Sequence, residues 1–293
     1  MPEARQLRNG AFAEKHQGRR PNPGRSGAHT RSYPSGKLWA QVVASGPVSK
    51  PLRLPLDGLV TGRRRLEGAV LRYVTRVHRL GSGDRLSCFD PSSALEAEAT
   101  LLEVSGEGTF CDVGELRPSN YRPLPVTLLQ GLAKGMKPEL TLRDATALGV
   151  ERVVFVATEH AVVQLFGERK AGRAERWRRI AAEAARQSGR GDLPQVEGPV
   201  SLDDGLAGVE QSRRIVLVPG APPLLERLGP WRRGESVALL VGPEGGLSSS
   251  EVSRATDAGF ISVSLGVLVL RTELAAAAAL GALVAWSGTS VVG

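Results

Sequence analysis

Cysteine is scarce in this 293-residue chain: Cys88 and Cys111 are the two present, in no C-x-x-C spacing and beside no histidine cluster. That argues against a zinc site and a disulfide framework, and it suits a reducing, cytoplasmic setting. Aromatic residues make up 4% of the chain, too few for a platform on which successive bases stack. Long apolar runs are missing as well. The uncharged stretch 274–293 has an apolar core, Leu274–Trp286, that is mostly alanine and is followed by the polar SGTSVVG. It falls short of the about 20 residues a membrane span needs, so a buried C-terminal helix is expected and no membrane anchor. There is no internal repeat. Neither common phosphate-binding signature occurs: no G-x-G-x-x-G, and no Lys-Ser/Thr after a glycine-rich loop.

What is present begins with an uneven charge. The net charge is +8, but residues 1–50 hold nine Lys and Arg against Glu3 and Glu14, so seven of those eight charges lie there. This stretch is rich in Gly, Pro, Ser and Arg and has too few apolar residues to fold alone, which predicts a disordered basic tail over 1–50. Phosphate contacts with RNA, a transit-like leader, or upstream sequence from a misplaced start codon would each account for it.

Beyond the tail, residues 51–120 read as short strands broken by Gly, Asp and Ser. DRLSCFD and LEAEATLLEV alternate apolar and polar residues, the period of half-buried strands. In AVLRYVTRVHRL, Val70, Leu71, Val74 and Val77 follow helical spacing and predict one helix packed on that sheet. The proline-marked RPSNYRPLP reads as a linker. From Val126 onward VTLLQGLA, ERVVFVAT, RRIVLVPG, SVALLVGP and FISVSLG alternate with helical stretches, which predicts an α/β domain over 125–293 with a mostly parallel sheet.

Two glycine loops stand out in that second half. LLVGPEGGLSSSEVSRATDAGF runs from a buried strand into a helix with an S-x-x-E capping box, Ser248 and Glu251, ended by Gly259. Ligands of open α/β sheets settle at the carboxyl ends of strands. Gly242, Gly245 and Gly246 lack β-carbons, so a flat ligand can approach the main chain there; a plain strand–helix turn would use the same residues. The second loop, SLGVLVLRTELAAAAAL, turns at Gly266 and enters the last helix through Leu270, Arg271, Thr272 and Glu273. Thr272 suits an N-cap and Glu273 a helix N-terminus. Arg271 does not, because a cation is unfavourable there, and it reads as held for an anionic partner.

LAKGMKPELTLRDATALGVERVVFVATEH, ERWRRIAAEAARQSGR with PQVEGPVSL, LLVGPEGGLSSSEV, GFISVSLG and LRTELAA, in this order over about 125–290, resemble the RsmE-type 16S ribosomal RNA uridine N3-methyltransferases of the SPOUT superfamily. LRYVTRVHRLGSGDRLSCFD resembles that family's N-terminal PUA-like RNA-binding barrel. The resemblance implies an α/β SPOUT domain with a trefoil knot behind a small PUA-like β-barrel domain, and a homodimer acting on ribosomal RNA in the small subunit. It implies S-adenosylmethionine as cofactor, enclosed by three loops that map onto Leu217, Val218, Pro219 and Gly220; Gly242, Pro243, Glu244, Gly245 and Gly246; and Ser264–Arg271, with Leu265, Gly266 and Leu270 as contacts.

Uracil N3 carries a proton at neutral pH and must lose it to become a nucleophile. The sulfonium donor is already electrophilic, so no metal is required. Arg271 is the choice for stabilising the developing anion. Glu273 or Glu244 could accept the proton. On the helix around RAERWRRIAAEAARQSGR, Trp177, Ile180, Ala181 and Ala184 form the packed stripe; its arginines read equally well as a solvated face or as phosphate contacts. Arg190, which follows the family's Gln-Ser-Gly stretch, is the RNA-binding choice. The chain departs from the family where Asp usually stands at Met136, Met at Pro138, Glu at Ala147, Arg at His160, Pro-Arg at Val267-Leu268 and Thr at Leu274. These departures leave open a paralogue modifying another RNA site, or a knotted RNA-binding or assembly protein without activity.

Overall fold

Alternating apolar positions in the first half pair into one sheet, and the β-branched runs of the second half into another. The computed structural model describes residues 51–105, 108–161, 169–232 and 234–288; the basic stretch 1–50 lies outside them. The first sheet is built from β1 (Leu52–Pro55), β2 (Gly62–Leu66), β3 (Arg85–Asp90), β4 (Leu95–Ser105), β5 (Gly108–Val113) and β6 (Arg117–Pro118). Its order is β1-β3-β4-β5-β2, with β6 on β4, and every pairing is antiparallel except β1 with β3. Ala97, Ala99 and Leu101 of β4 point inward with Leu86, Cys88, Cys111 and Val113. The expected helix is α1 (Gly68–Arg72) and runs into a wider π turn, Tyr73–Val77. Val74 is buried against the sheet, but Val77 is 64% exposed: the π turn rotates it away from the face that regular helical spacing assigned to it.

Asp90 ends β3, and its carboxylate accepts hydrogen bonds from Leu59 N–H at 3.2 Å, Ser92 N–H at 2.9 Å and the Ser92 hydroxyl at 2.7 Å. Burial disfavours its charge, yet these bonds outweigh burial and hold the pKa down to about 2. Its stabilisation is therefore complete above the unfolded-state value of about 4 and is lost as pH falls toward about 2, roughly 2 kcal/mol in all. Between about pH 5 and about pH 2.5, the urea midpoint of Asp90→Asn should drop less than that of the wild type. Equal drops would assign the acid sensitivity elsewhere.

The second half continues with β7 (Leu124–Gly131), α2 (Lys137–Ala147), β8 (Val150–Ala157), α3 (Arg169–Ser188), β9 (Gln195–Ser201), α4 (Leu202–Ala207), β10 (Arg213–Leu217), α5 (Leu224–Leu228), β11 (Val237–Val241), α6 (Ser249–Asp257), β12 (Ile261–Val263) and α7 (Thr272–Ser287). The six strands form a wholly parallel sheet in the order β12-β10-β11-β7-β8-β9. Val126, Leu128, Val237 and Leu239 face one core, with Leu142 and Ala145 of α2, Trp177 and Ala181 of α3, and Ala276, Ala279, Leu280 and Leu283 of α7. Leu129, Ala238 and Leu240 face the other, with Leu202 and Leu206 of α4, Ala255 of α6 and Phe260. Burial on both faces is why the central strands read as largely apolar runs. Among the described residues no helix is long and apolar enough to cross a membrane.

The two sheets meet along α3. Arg53 of β1 donates to Glu96 at 3.2 Å and to the Arg190 carbonyl at 3.3 Å, and the Arg186 guanidinium lies 3.7 Å over the Tyr73 ring.

Candidate active site

The carboxyl ends of β7, β10, β11 and β12 deliver four connections to one edge of the parallel sheet. Between them lies a cavity of about 650 Å³, a size suited to a small molecule or cofactor. Its wall is mostly main chain and aliphatic carbon. Leu217, Val218 and Pro219 line it from the end of β10; Gly242, Pro243, Glu244, Gly245 and Gly246 after β11; and Leu265, Gly266, Leu270 and Arg271 after β12. Of the residues expected there from sequence, Gly220 is outside the lining. Ser264, Leu268 and Val269 of the expected third loop line it as well, Val267 does not, and Lys137, Val241, Leu247, Val252, Thr272 and Ala275 were not anticipated.

The GPEGG loop is held from three sides. Gly131 lies so near it that an added Cβ would stand 2.6 Å from the Pro243 nitrogen, so only glycine fits at that crossing. A Cβ on Gly245 would stand 2.9 Å from the His160 Cβ, and His160 Nδ1 is 3.2 Å from the Gly246 carbonyl. Glu251, 1% exposed, accepts from Ser248 N–H and from Glu159 N–H, both at 2.8 Å. The capping box expected from sequence thus also ties α6 to the end of β8. Gly246, at φ +72°, makes the turn that returns its N–H to the Pro243 carbonyl at 2.9 Å.

Three charged groups stand on the lining. Burial disfavours charge on Glu244, but the Lys137 ammonium at 2.8 Å and the Lys134 N–H at 3.0 Å outweigh it and hold the carboxyl below its usual range. An ionised, doubly bonded carboxylate of lowered pKa is a poor proton acceptor, so Glu244 serves as an anchor between α2 and the loop. Lys137→Ala should release that anchor, weakening cofactor affinity about 3- to 10-fold by calorimetry; an unchanged affinity would leave the pair without a role in the cavity. Arg271 is exposed, makes no side-chain capping bond and has no ion-pair partner among the described residues.

Three expectations need correction. Thr272 is not an N-cap: Arg271 occupies that position with extended backbone, and the Thr272 hydroxyl instead donates to the Gly242 carbonyl at 2.6 Å. Glu273 is not on the cavity wall; it sits in the first turn of α7 with one carboxylate oxygen buried and unpartnered. Arg190 offers nothing to RNA, because it is 2% exposed and its guanidinium is taken by Asp192 and by the Thr146 and Val150 carbonyls.

Residues 120–284 match the family model described as RNA methyltransferase domain. The ribosomal RNA small subunit methyltransferase E of Bacillus subtilis is 30% identical over 229 residues, covering 74% of this chain and 88% of its own. Its namesake in Mycobacterium bovis is 36% identical over 217 residues, covering 72% of this chain and 81% of its own. The crystal structure of a ribosomal RNA small subunit methyltransferase E from Neisseria gonorrhoeae bound to S-adenosyl methionine aligns with a TM-score of 0.72 at 27% identity, covering 80% of this chain and 97% of that one.

Proposed function

Because this chain belongs to the RNA methyltransferase family, we propose that it transfers a methyl group from S-adenosylmethionine to N3 of a uridine in 16S ribosomal RNA. The observation that supports this most is the pairing of a backbone-lined cavity with an arginine, Arg271, that stands on its lining without an ion-pair partner among the described residues. The cavity suits the cofactor: Gly246 and Gly266 have positive φ and open space where a Cβ would stand, leaving main chain exposed to a flat ring. Leu217, Val241, Leu247, Val252 and Leu265 give it apolar walls.

When bound, the donor supplies a sulfonium methyl group, whose C–S bond breaks with its electron pair left on sulfur as uracil N3 forms the new bond. The chain has three tasks around that step. The glycine loops hold the donor, the apolar walls exclude water, and Arg271 offsets the negative charge spread over N3 and its flanking oxygens once the N3 proton leaves. Glu273 is off the cavity wall and Glu244 is tied to Lys137, so we assign that proton to solvent outside the apolar walls.

The same reading covers the architecture. Residues 51–120 act as a PUA-like RNA-binding domain and 125–293 as a SPOUT domain. The contact of Gly131 with Pro243 and the bond from Thr272 to Gly242 fit a trefoil-knotted chain drawn tight around the cavity. Val267, Leu268 and Val269, 101%, 77% and 81% exposed beside the cavity, suit burial in a homodimer. The setting is cytoplasmic.

Calorimetry on the full-length protein tests the cofactor directly. Wild type should bind S-adenosylhomocysteine at one site per chain, and Gly245→Arg, which pushes the loop off His160, should not. A folded wild type that gives no heat would remove the enzymatic reading.

A further inference from the structure

Gln130, the penultimate residue of β7, is 1% exposed and its Oε1 is buried without a partner among the described residues, a cost that the bonds of its amide nitrogen must offset. Its Nε2 donates to Thr272 Oγ1 at 2.8 Å and to the Gly131 carbonyl at 3.1 Å. The Thr272 hydroxyl, 4% exposed, donates its one proton to the Gly242 carbonyl at 2.6 Å. A carbonyl can only accept, so the direction of this chain is fixed: amide to hydroxyl to carbonyl. Turning the amide over would set its oxygen against two carbonyls, so position 130 needs a donor. The relay joins the end of β7, the first residue of the GPEGG loop and the first residue of α7.

Its consequence concerns Arg271. Among the described residues no side-chain bond fixes that guanidinium; its backbone is set by the Ala275 N–H, which donates to the Arg271 carbonyl at 2.8 Å, and by the anchoring of the next residue, Thr272. Loss of the relay would leave the Gly242 carbonyl and the start of α7 free to shift relative to each other. That is the distance across which the cofactor loop and Arg271 must cooperate.

We propose that Gln130 is a positioning residue for methyl transfer, acting through Thr272 to hold Arg271 against the cavity, an inference that rests on the methyltransferase reading above. A buried glutamine that only stabilised the fold would lower the unfolding midpoint without changing the chemistry of the molecules still folded.

Full-length Gln130→Leu, Thr272→Val, Thr272→Ser and the double variant Gln130→Leu/Arg271→Ala separate these roles. With small ribosomal subunits and saturating cofactor, Gln130→Leu and Thr272→Val should each lower kcat per folded molecule about 10- to 100-fold, the scale of a misplaced catalytic group. Thr272→Ser, which keeps the hydroxyl, should restore most of the rate lost in Thr272→Val. The rising limb of log kcat against pH should move to higher pH in Gln130→Leu, as in Arg271→Ala, because either change weakens assistance to N3 ionisation. In the Arg271→Ala background, Gln130→Leu should cost little more, since both act on one interaction. Wild-type transfer together with an unchanged kcat and pH profile in Gln130→Leu, or with losses that multiply in the double variant, would overturn the positioning role alone. No transfer by wild type would overturn the methyltransferase reading and this inference with it.

Discussion

Arg271→Ala should cut methyl transfer to small ribosomal subunits about a thousandfold, at the upper end of what one oxyanion-stabilising donor contributes. Cofactor affinity should change by no more than about threefold, because the effect belongs to the transition state rather than to ground-state binding. The physical case is the cost of placing the cation where it is. A helix N-terminus repels positive charge, Arg271 is the N-cap of α7, and it has no carboxylate partner among the described residues. An arginine kept in so unfavourable a field gains its compensation when an anion arrives. Arg271→Lys should recover part of the rate, since it keeps the charge but not the planar fork that can span N3 and a neighbouring oxygen. Single-turnover labelling gives the rate and calorimetry the affinity. Parallel losses in both would make Arg271 a cofactor ligand instead.

Arg190→Ala should destabilise the folded protein by about 3–5 kcal/mol, the range for removing one partner of a buried ion pair. Arg190 grips both carboxylate oxygens of Asp192, at 2.7 and 3.2 Å, and donates to the Val150 carbonyl at 2.6 Å. Its guanidinium lies 5.3 Å from the Tyr121 ring centre, and its own carbonyl receives Arg53 of β1. The next residue, Gly191, packs so closely on Ser119 that a Cβ would stand 2.1 Å from the Ser119 oxygen. Truncation would strand Asp192 and two carbonyls at the junction between the two sheets. Urea unfolding measures the loss. Under conditions where the variant is folded, the salt dependence of RNA binding should match wild type, whereas a lost phosphate contact would lower its slope by about one. A reduced slope with little destabilisation would return Arg190 to the RNA surface.

Arg190 also shows where sequence reading stops. An arginine after Gln-Ser-Gly at a helix end has the composition of a solvated or phosphate-binding residue, and nothing local reveals that Asp192, Thr146 and Val150 surround it. Much of the rest was legible because it is written in local pattern. The mostly apolar run at 124–131 and the apolar run at 237–241 are buried on both faces, Ser248 and Glu251 form the capping box, and Trp177, Ala181 and Ala184 face the core. β9 and α4 were not anticipated: QVEGPVSLDDG alternates imperfectly and carries Gly and Pro inside it, which masks a strand paired to β8. In the site, the two glycine loops could be found from their position after buried strands. Lys137 could not, since it reaches Glu244 from 107 residues away. The role of Thr272 was misread for the same reason, because a threonine before an alanine-rich helix satisfies the N-cap rule whether or not a distant Gly242 carbonyl claims its hydroxyl.

The claim that joins cavity, arginine and family is methyl transfer to one uridine of the small-subunit RNA. Small ribosomal subunits from a strain lacking this gene, incubated with the purified protein and labelled S-adenosylmethionine, provide its most direct test when the RNA is digested and mapped by mass spectrometry. The expected result is one N3-methyluridine in 16S RNA, formed by wild type and not by Arg271→Ala. Label on a different nucleotide, or none at all from a protein that binds the cofactor, would contradict it.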